Sequence, residues 1–70
     1  MMNGEFFMAC QTGNTAKVAS LLGDARVDVN QADNDGRTPF SIACQQGHQE
    51  VVALLLADAR VDVNQAANEG

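Results

Sequence analysis

The chain has 70 residues, enough for one small domain, and 46 % of them are hydrophobic, which is too many for a disordered chain. It has no tryptophan or tyrosine and only three phenylalanines, so its core must be mainly aliphatic. The net charge of −5 argues against nucleic acid as a partner, because proteins that bind nucleic acid need a basic surface.

The amino-terminal segment MMNGEFFMAC lacks the basic residues and the long apolar run of a secretory signal peptide. The longest apolar run, at 51–57, is far too short to span a membrane. Two cysteines without a secretory signal favour reduced thiols. We therefore expect a cytoplasmic protein, with a nuclear location as the alternative, and no membrane partner.

The sequence DARVDVNQA occurs at 24–32 and again at 58–66, an offset of 34 residues. The match continues on both sides of this segment. Equivalent positions carry the same residue in Ala9 and Ala43, Cys10 and Cys44, Gly13 and Gly47, and Val18 and Val52. A fixed offset indicates a repeated structural unit. We place repeat 1 at about 3–32 and repeat 2 at about 33–66, with 67–70 as the start of a third unit.

Each repeat is predicted to contain two short helices. In repeat 2 the pair Thr38-Pro39 marks the start of the first helix, because threonine can cap a helix and proline suits its first turn. This helix is expected to run to about Gln46 and to end at Gly47. The second helix is predicted at about 48–57.

The segments between the helices carry turn and loop signals. At 58–64, Val61 and Val63 alternate with polar residues, which favours an extended segment. Asn34-Asp35-Gly36 is a turn signal, because Asp-Gly readily adopts positive φ. DARVDVNQA is therefore predicted to be the connection that leads from one repeat to the next.

Together these residues resemble the ankyrin repeat. The matching motifs are DNDGRTPF at 33–40, Ala43, Gly47-His48, VVALLL at 51–56 and VDVN at 61–64. The resemblance implies an all-α ankyrin-repeat solenoid of paired antiparallel helices joined by β-hairpin-like loops. The chain departs from the family in three ways. Its period is 34 instead of the usual 33, Ser41 stands where histidine is usual, and Phe40 replaces the usual leucine.

The resemblance also implies a function, which is to bind a partner protein without catalysis or a cofactor. In ankyrin repeats the hairpin tips and the exposed side of the first helices line a concave binding face. The matching positions at the tip and at the ends of the first helices are Asn34, Asp35, Arg37, Gln45, Gln46, Gln11 and Thr12. Arg37 is the strongest anchor candidate, because arginine is enriched among interface hot spots.

The second helices of the two repeats differ along one flank. Where repeat 2 is apolar, repeat 1 has Lys17 and Ser20. An end helix can be polar on one side, so we expect repeat 1 to be an amino-terminal end unit, with Phe7 covering part of the core. Val52 and Leu56 would face a further repeat. The chain is thus either the first part of a longer array or a short protein that self-associates through its carboxyl-terminal repeat.

Two alternatives to direct partner binding stay open. The two repeats could serve only as the structural amino-terminal end of a longer ankyrin array, with the partner bound further along. They could also be the regulatory segment of a larger enzyme or channel. A repeat scaffold indicates how a protein acts but not its target, so the partner's identity does not follow from these residues.

Residues capable of chemistry have structural interpretations. Cys10 and Cys44 are predicted to be small buried residues on helices about 8–10 Å apart, too far for a disulfide, which needs Cα atoms within about 7 Å. His48 matches the family's structural Gly-His pair, and no nucleophile accompanies it. No Gly-rich phosphate loop or zinc spacing is present. We therefore predict no catalytic residues and no cofactor.

The loops contain two further candidate sites. The acidic segment 28–36 fails as a calcium loop, because Gln31 and Ile42 would stand where acidic ligands are needed. We therefore predict no metal site. Asn30 and Asn64 match a position with which ankyrin repeats tie loops together. In some members the same position is an asparagine-hydroxylation site, and that alternative stays open.

Overall fold

The computed structural model describes residues 2–63, with side chains from residue 4 onward, and contains four helices. They are α1 (Met2–Thr12), α2 (Thr15–Leu22), α3 (Pro39–Gln46) and α4 (Gln49–Ala57). No strand occurs among the described residues. The all-α class predicted from the sequence is confirmed. Asn64 and the predicted start of a third unit lie outside the described residues.

The helices begin and end where the sequence indicates. The Thr38 hydroxyl accepts a hydrogen bond from the Ser41 backbone N–H (3.1 Å), and the Ser41 hydroxyl oxygen accepts one from the Thr38 N–H (3.0 Å). This reciprocal capping box starts α3, with Pro39 in its first turn. At the other end Gly47 adopts a φ of 75°, a left-handed conformation that glycine adopts readily.

The core lies between the two repeats as well as within each of them. α1 packs on α2 and α3 on α4 within the repeats, while α1 packs on α3 and α2 on α4 between them. The largest fully buried aliphatic and aromatic side chains are Phe6, Val18, Ile42, Val51 and Leu55. Each repeat alone would leave part of this surface exposed, so the two repeats stabilise each other.

Equivalent positions in the two repeats are not equally buried. Cys10 is fully buried, whereas Cys44 is exposed, so the prediction that both cysteines are buried is wrong for Cys44. The physical reason is stacking: repeat 2 covers Cys10, and no described residue covers Cys44 in the same way. Both thiols are free, as predicted. Burial raises the pKa of Cys10 to about 12, which keeps its thiol protonated.

The loop that carries DARVDVNQA is a succession of turns. The Val27 N–H donates to the Asp24 carbonyl (3.1 Å), and in repeat 2 the Val61 N–H donates to the Asp58 carbonyl in the same way (3.1 Å). The extended segment predicted at 58–64 is therefore not observed in its described part. The turns form because an aspartate side chain begins each one and accepts the backbone N–H two residues on.

Hydrogen bonds from three side chains tie the loops and helices of the two repeats together. The Asn30 side chain donates to the Arg60 carbonyl (2.7 Å) and accepts from the Asp62 N–H (2.7 Å), which confirms its predicted structural role. The Arg60 guanidinium donates to the Leu22 carbonyl at the end of α2. His48 is the third of these side chains, and it contacts the Gln11 carbonyl. These polar contacts fix the register in which repeat 2 stacks on repeat 1.

The aspartates of these turns make stability sensitive to acid. Hydrogen bonds from Arg26 lower the pKa of Asp24, those from Arg60 lower the pKa of Asp58, and backbone N–H groups lower that of Asp33. A lowered pKa means that the unfolded chain binds these protons more tightly than the folded one. The stabilisation is therefore present above about pH 4 and lost as the pH falls below it.

We expect the urea midpoint of unfolding to fall between about pH 5 and about pH 3. A variant carrying Asp24→Asn and Asp58→Asn should be less stable at neutral pH and should lose less on acidification. Urea titrations of both proteins, followed by circular dichroism at several pH values, measure the difference. Identical pH dependence in the two proteins would contradict this assignment.

Candidate protein-binding surface

The hairpin tip is built around the side chain of Asp33. Its Oδ1 accepts hydrogen bonds from the backbone N–H groups of Asp35 and Arg37, both at 2.9 Å. The Asp33 N–H donates to the Arg37 carbonyl (2.8 Å), and Gly36 adopts a φ of 82° in the turn between them. The turn predicted at Asn34-Asp35-Gly36 is thus confirmed, and the tip is held by backbone as well as side-chain hydrogen bonds.

Arg37 stabilises the tip on which it lies. Its Nε donates to Asp33 (3.1 Å), and its guanidinium also lies 3.4 Å from a carboxylate oxygen of Asp35. The Arg37 side chain is about two-fifths exposed, while Asn34 and Asp35 are exposed. A partner would therefore meet a guanidinium already held in place by carboxylates, which lowers the entropy lost on binding. The sequence did not indicate this structural role of Arg37.

The second group of predicted residues lies at the ends of the first helices. Gln45 and Gln46 are exposed in the last turn of α3. Thr12 is exposed at the end of α1, where its hydroxyl donates to the Met8 carbonyl (2.9 Å), and Gln11 is half-buried. α1 is the helix of repeat 1 that corresponds to α3 in repeat 2, and the two helices pack on each other. Their carboxyl-terminal ends therefore lie on the same side of the molecule.

The tip and the helix ends lie at opposite ends of α3. Arg37 precedes the amino-terminal end of α3, whereas Gln45 and Gln46 close its carboxyl-terminal end. A helix of eight residues is about 12 Å long, so one small ligand could not contact both groups, whereas a protein could. Cys44, exposed beside Gln45, belongs to this region too. Sequence reasoning missed it because the repeat pattern marks position 44 as a core position.

His48 joins the two repeats beside these glutamines. Its Nε2 lies 2.9 Å from the Gln11 carbonyl, and because a carbonyl can only accept, the ring nitrogen donates. The ring lies against Gly13, where a Cβ atom would come within 2.6 Å of Nδ1. The structural role predicted for His48 is confirmed. Its contact fixes the spacing between the ends of α1 and α3 and therefore the shape of the candidate surface.

The described part of the chain has neither a cluster of metal-ligating side chains nor a helix suited to a membrane. No group of three or more His, Cys, Asp or Glu side chains at 2–63 could hold a metal ion. No helix in this range has the length and apolar character needed to cross a membrane. Thr38, the buried polar residue of the core, is fully engaged in its capping box.

Paired helices that stack through equivalent surfaces, with a hydrogen-bonded tip between them, define an α-helical repeat protein. A family model described as ankyrin repeats (3 copies) matches residues 6–67, so the chain belongs to the ankyrin repeat family. Members of this family are generally protein–protein interaction modules and are typically not catalytic. Neither a curated protein nor a solved structure matches the chain.

Proposed function

We propose that this protein binds a partner protein through a surface formed by the hairpin tip and the ends of α1 and α3. The residues assigned to it are Asn34, Asp35, Arg37, Gln45, Gln46, Gln11 and Thr12. The proposal includes no catalytic role, no nucleic-acid partner and no membrane, in line with the acidic charge of the chain. A cytoplasmic or nuclear location accompanies it.

The observation that carries the proposal is the contrast between a rigid framework and an exposed polar surface. The His48–Gln11 and Arg60–Leu22 contacts hold the repeats in one register, so the polar side chains are displayed at fixed spacing. Gln45 and Gln46 are exposed and can both donate and accept hydrogen bonds. Such a surface suits a polar, hydrated protein interface that needs little reordering on binding.

The rival functions use the same fold differently. If the two repeats only form the end of a longer array, substitutions on this surface leave partner binding of the whole protein unchanged. The unequal flanks of the second helices favour this reading, because Lys17 and Ser20 are exposed on α2 as expected for an end unit. The regulatory-segment reading places the partner within the same polypeptide. We propose direct binding in preference to these two alternatives, because it gives a role to the exposed polar side chains at the tip and at the ends of α1 and α3.

The test is a pair of charge-matched variants in affinity capture from cell extract. Gln45→Arg with Gln46→Arg alters the proposed surface, and Gln49→Arg with Ala53→Arg makes the same charge change on exposed positions of α4. We expect a protein captured by the wild type to be lost with the first variant, by at least about tenfold in affinity, and kept by the second. Circular dichroism should show both folded.

Two outcomes would refute the proposal. If both variants keep the captured protein, its binding site lies elsewhere, as the end-unit reading requires. If both lose it, non-specific charge effects explain the loss. Titration of the purified pair then gives the dissociation constants that separate these results.

A further inference from the structure

Comparing burial at equivalent positions reveals two open faces on this molecule. In repeat 2, Ile42 and Val51 are fully buried, whereas their counterparts in repeat 1, Met8 and Lys17, are exposed. We call the surface around Met8 and Lys17 the leading face. A groove of about 440 Å³ lies on it, lined in part by Met8, Ala9 and Lys17. The equivalent surface of repeat 2, around Ile42 and Val51, is covered by repeat 1.

The second face is found by comparing residues that are buried in repeat 1 with their counterparts in repeat 2. In repeat 1, Cys10 and Val18 are fully buried beneath repeat 2, and their counterparts in repeat 2 are the exposed Cys44 and the half-buried Val52. Leu56 belongs to the same side of α4 and is 60 % exposed. We call the surface around Cys44, Val52 and Leu56 the trailing face. Each face is open among the described residues and corresponds to one half of the observed interface between the repeats.

We propose that the leading face of one molecule packs on the trailing face of a second copy of this chain, so that copies associate head to tail. The contact continues, between molecules, the interface that joins repeat 2 to repeat 1 within the chain. The two faces adjoin the proposed partner-binding surface, because Thr12 also lines the groove of the leading face and Cys44 lies beside Gln45. Because the two faces differ, the contact is heterologous, and each copy added leaves one face open for the next.

The loop of repeat 1 contains the same aspartate–arginine pair with which the loop of repeat 2 contacts its neighbouring repeat. Asp58 holds the Arg60 guanidinium (Nε to Oδ1, 3.0 Å), which donates onward to the Leu22 carbonyl. Asp24 holds Arg26 in the same way (3.1 Å). The Arg26 side chain is 76 % exposed, compared with 43 % for Arg60. In the head-to-tail contact Arg26 comes to the Leu56 carbonyl of the other copy.

Lys17 sets the strength of the association. It stands where repeat 2 has the fully buried Val51, so the contact must leave its amino group in water while its aliphatic stem lies on the trailing face. This keeps the association weak and reversible. Lys17→Val restores the residue found in repeat 2 and should strengthen the association roughly tenfold, the effect of one further buried aliphatic side chain.

Sedimentation of the whole chain over a wide concentration range tests the proposal. Met8→Glu blocks the leading face and Leu56→Glu the trailing face, and because both side chains are more than half exposed, both variants should stay folded by circular dichroism. We expect the mass of the wild type to rise with concentration without stopping at a dimer. Each variant alone should remain a monomer, and an equal mixture should form dimers that grow no further.

Complementation between the variants separates this contact from others. In the mixture one molecule supplies an intact leading face and the other an intact trailing face, and only a head-to-tail contact restores the dimer. If both the wild type and the Lys17→Val variant stay monomeric, the proposal is overturned. Dimers that Leu56→Glu abolishes and Met8→Glu leaves intact would also overturn it, because these indicate a symmetric contact between two trailing faces.

Discussion

Leu55→Ala should remove about 2–5 kcal/mol from the free energy of unfolding, the range measured for truncating buried leucines. Leu55 is fully buried near the carboxyl-terminal end of α4 and belongs to the core shared by both repeats. A chain of 70 residues is stable by only roughly 4–10 kcal/mol. The variant should therefore lose most of its stability. Urea denaturation followed by circular dichroism should show a much lower midpoint or no cooperative transition.

Leu56→Ala is the matched control, because it makes the same chemical change one residue further along the same helix. Leu56 is 60 % exposed, so its truncation removes little buried surface and should cost less than about 1 kcal/mol. The two measurements together test which side of α4 faces the core. Equal losses in the two variants would mean that the arrangement of α4 described above is incorrect.

Gly13→Ala should be the second strongly destabilising substitution, at roughly 2–4 kcal/mol. Two costs add. Gly13 adopts a φ of 78°, which an alanine adopts only with strain. Its new Cβ would also lie 2.6 Å from His48 Nδ1, so the ring must move and loses its hydrogen bond to the Gln11 carbonyl. Urea denaturation of the variant measures the combined cost.

Gly47→Ala separates these two costs. Gly47 occupies the equivalent position in repeat 2 with a φ of 75°, and a Cβ there would have no atom within 4 Å. It should therefore show the backbone strain alone, about 1–2 kcal/mol. In a His48→Ala background the excess cost of Gly13→Ala should disappear. If Gly13→Ala and Gly47→Ala cost the same in the wild type, the close packing of the ring on Gly13 is not important for stability.

The sequence predicted which residues form the candidate site, but not how their side chains pair with one another. The ankyrin resemblance placed the tip at 34–37 and the helix ends at Gln45 and Gln46; the side chains of Asn34, Asp35, Gln45 and Gln46 are exposed, and that of Arg37 is half-buried. The pairing of Arg37 with Asp33 was not predictable. A sequence pattern identifies Asn-Asp-Gly as a turn, but it does not show which carboxylate the neighbouring guanidinium reaches.

The sequence by itself determined the repeat, the helix boundaries and the family. The repeat and the family follow from the offset of 34 residues and the motifs that recur at it, and the helix boundaries follow from local signals such as the capping threonine and the proline and glycine at helix ends. Local signals act through backbone geometry within a few residues and do not depend on what packs nearby.

Only the tertiary structure decided how far each apolar face is covered. The sequence placed Leu56 on the flank that a further repeat would cover, and its side chain is 60 % exposed, whereas the adjacent Leu55 is fully buried. Cys10 and Cys44 occupy the same position in two repeats and differ in the same way. The reason is that each repeat presents two faces to its neighbours, and burial depends on which face is covered. Periodicity places a residue on a face, whereas stacking determines whether that face is buried.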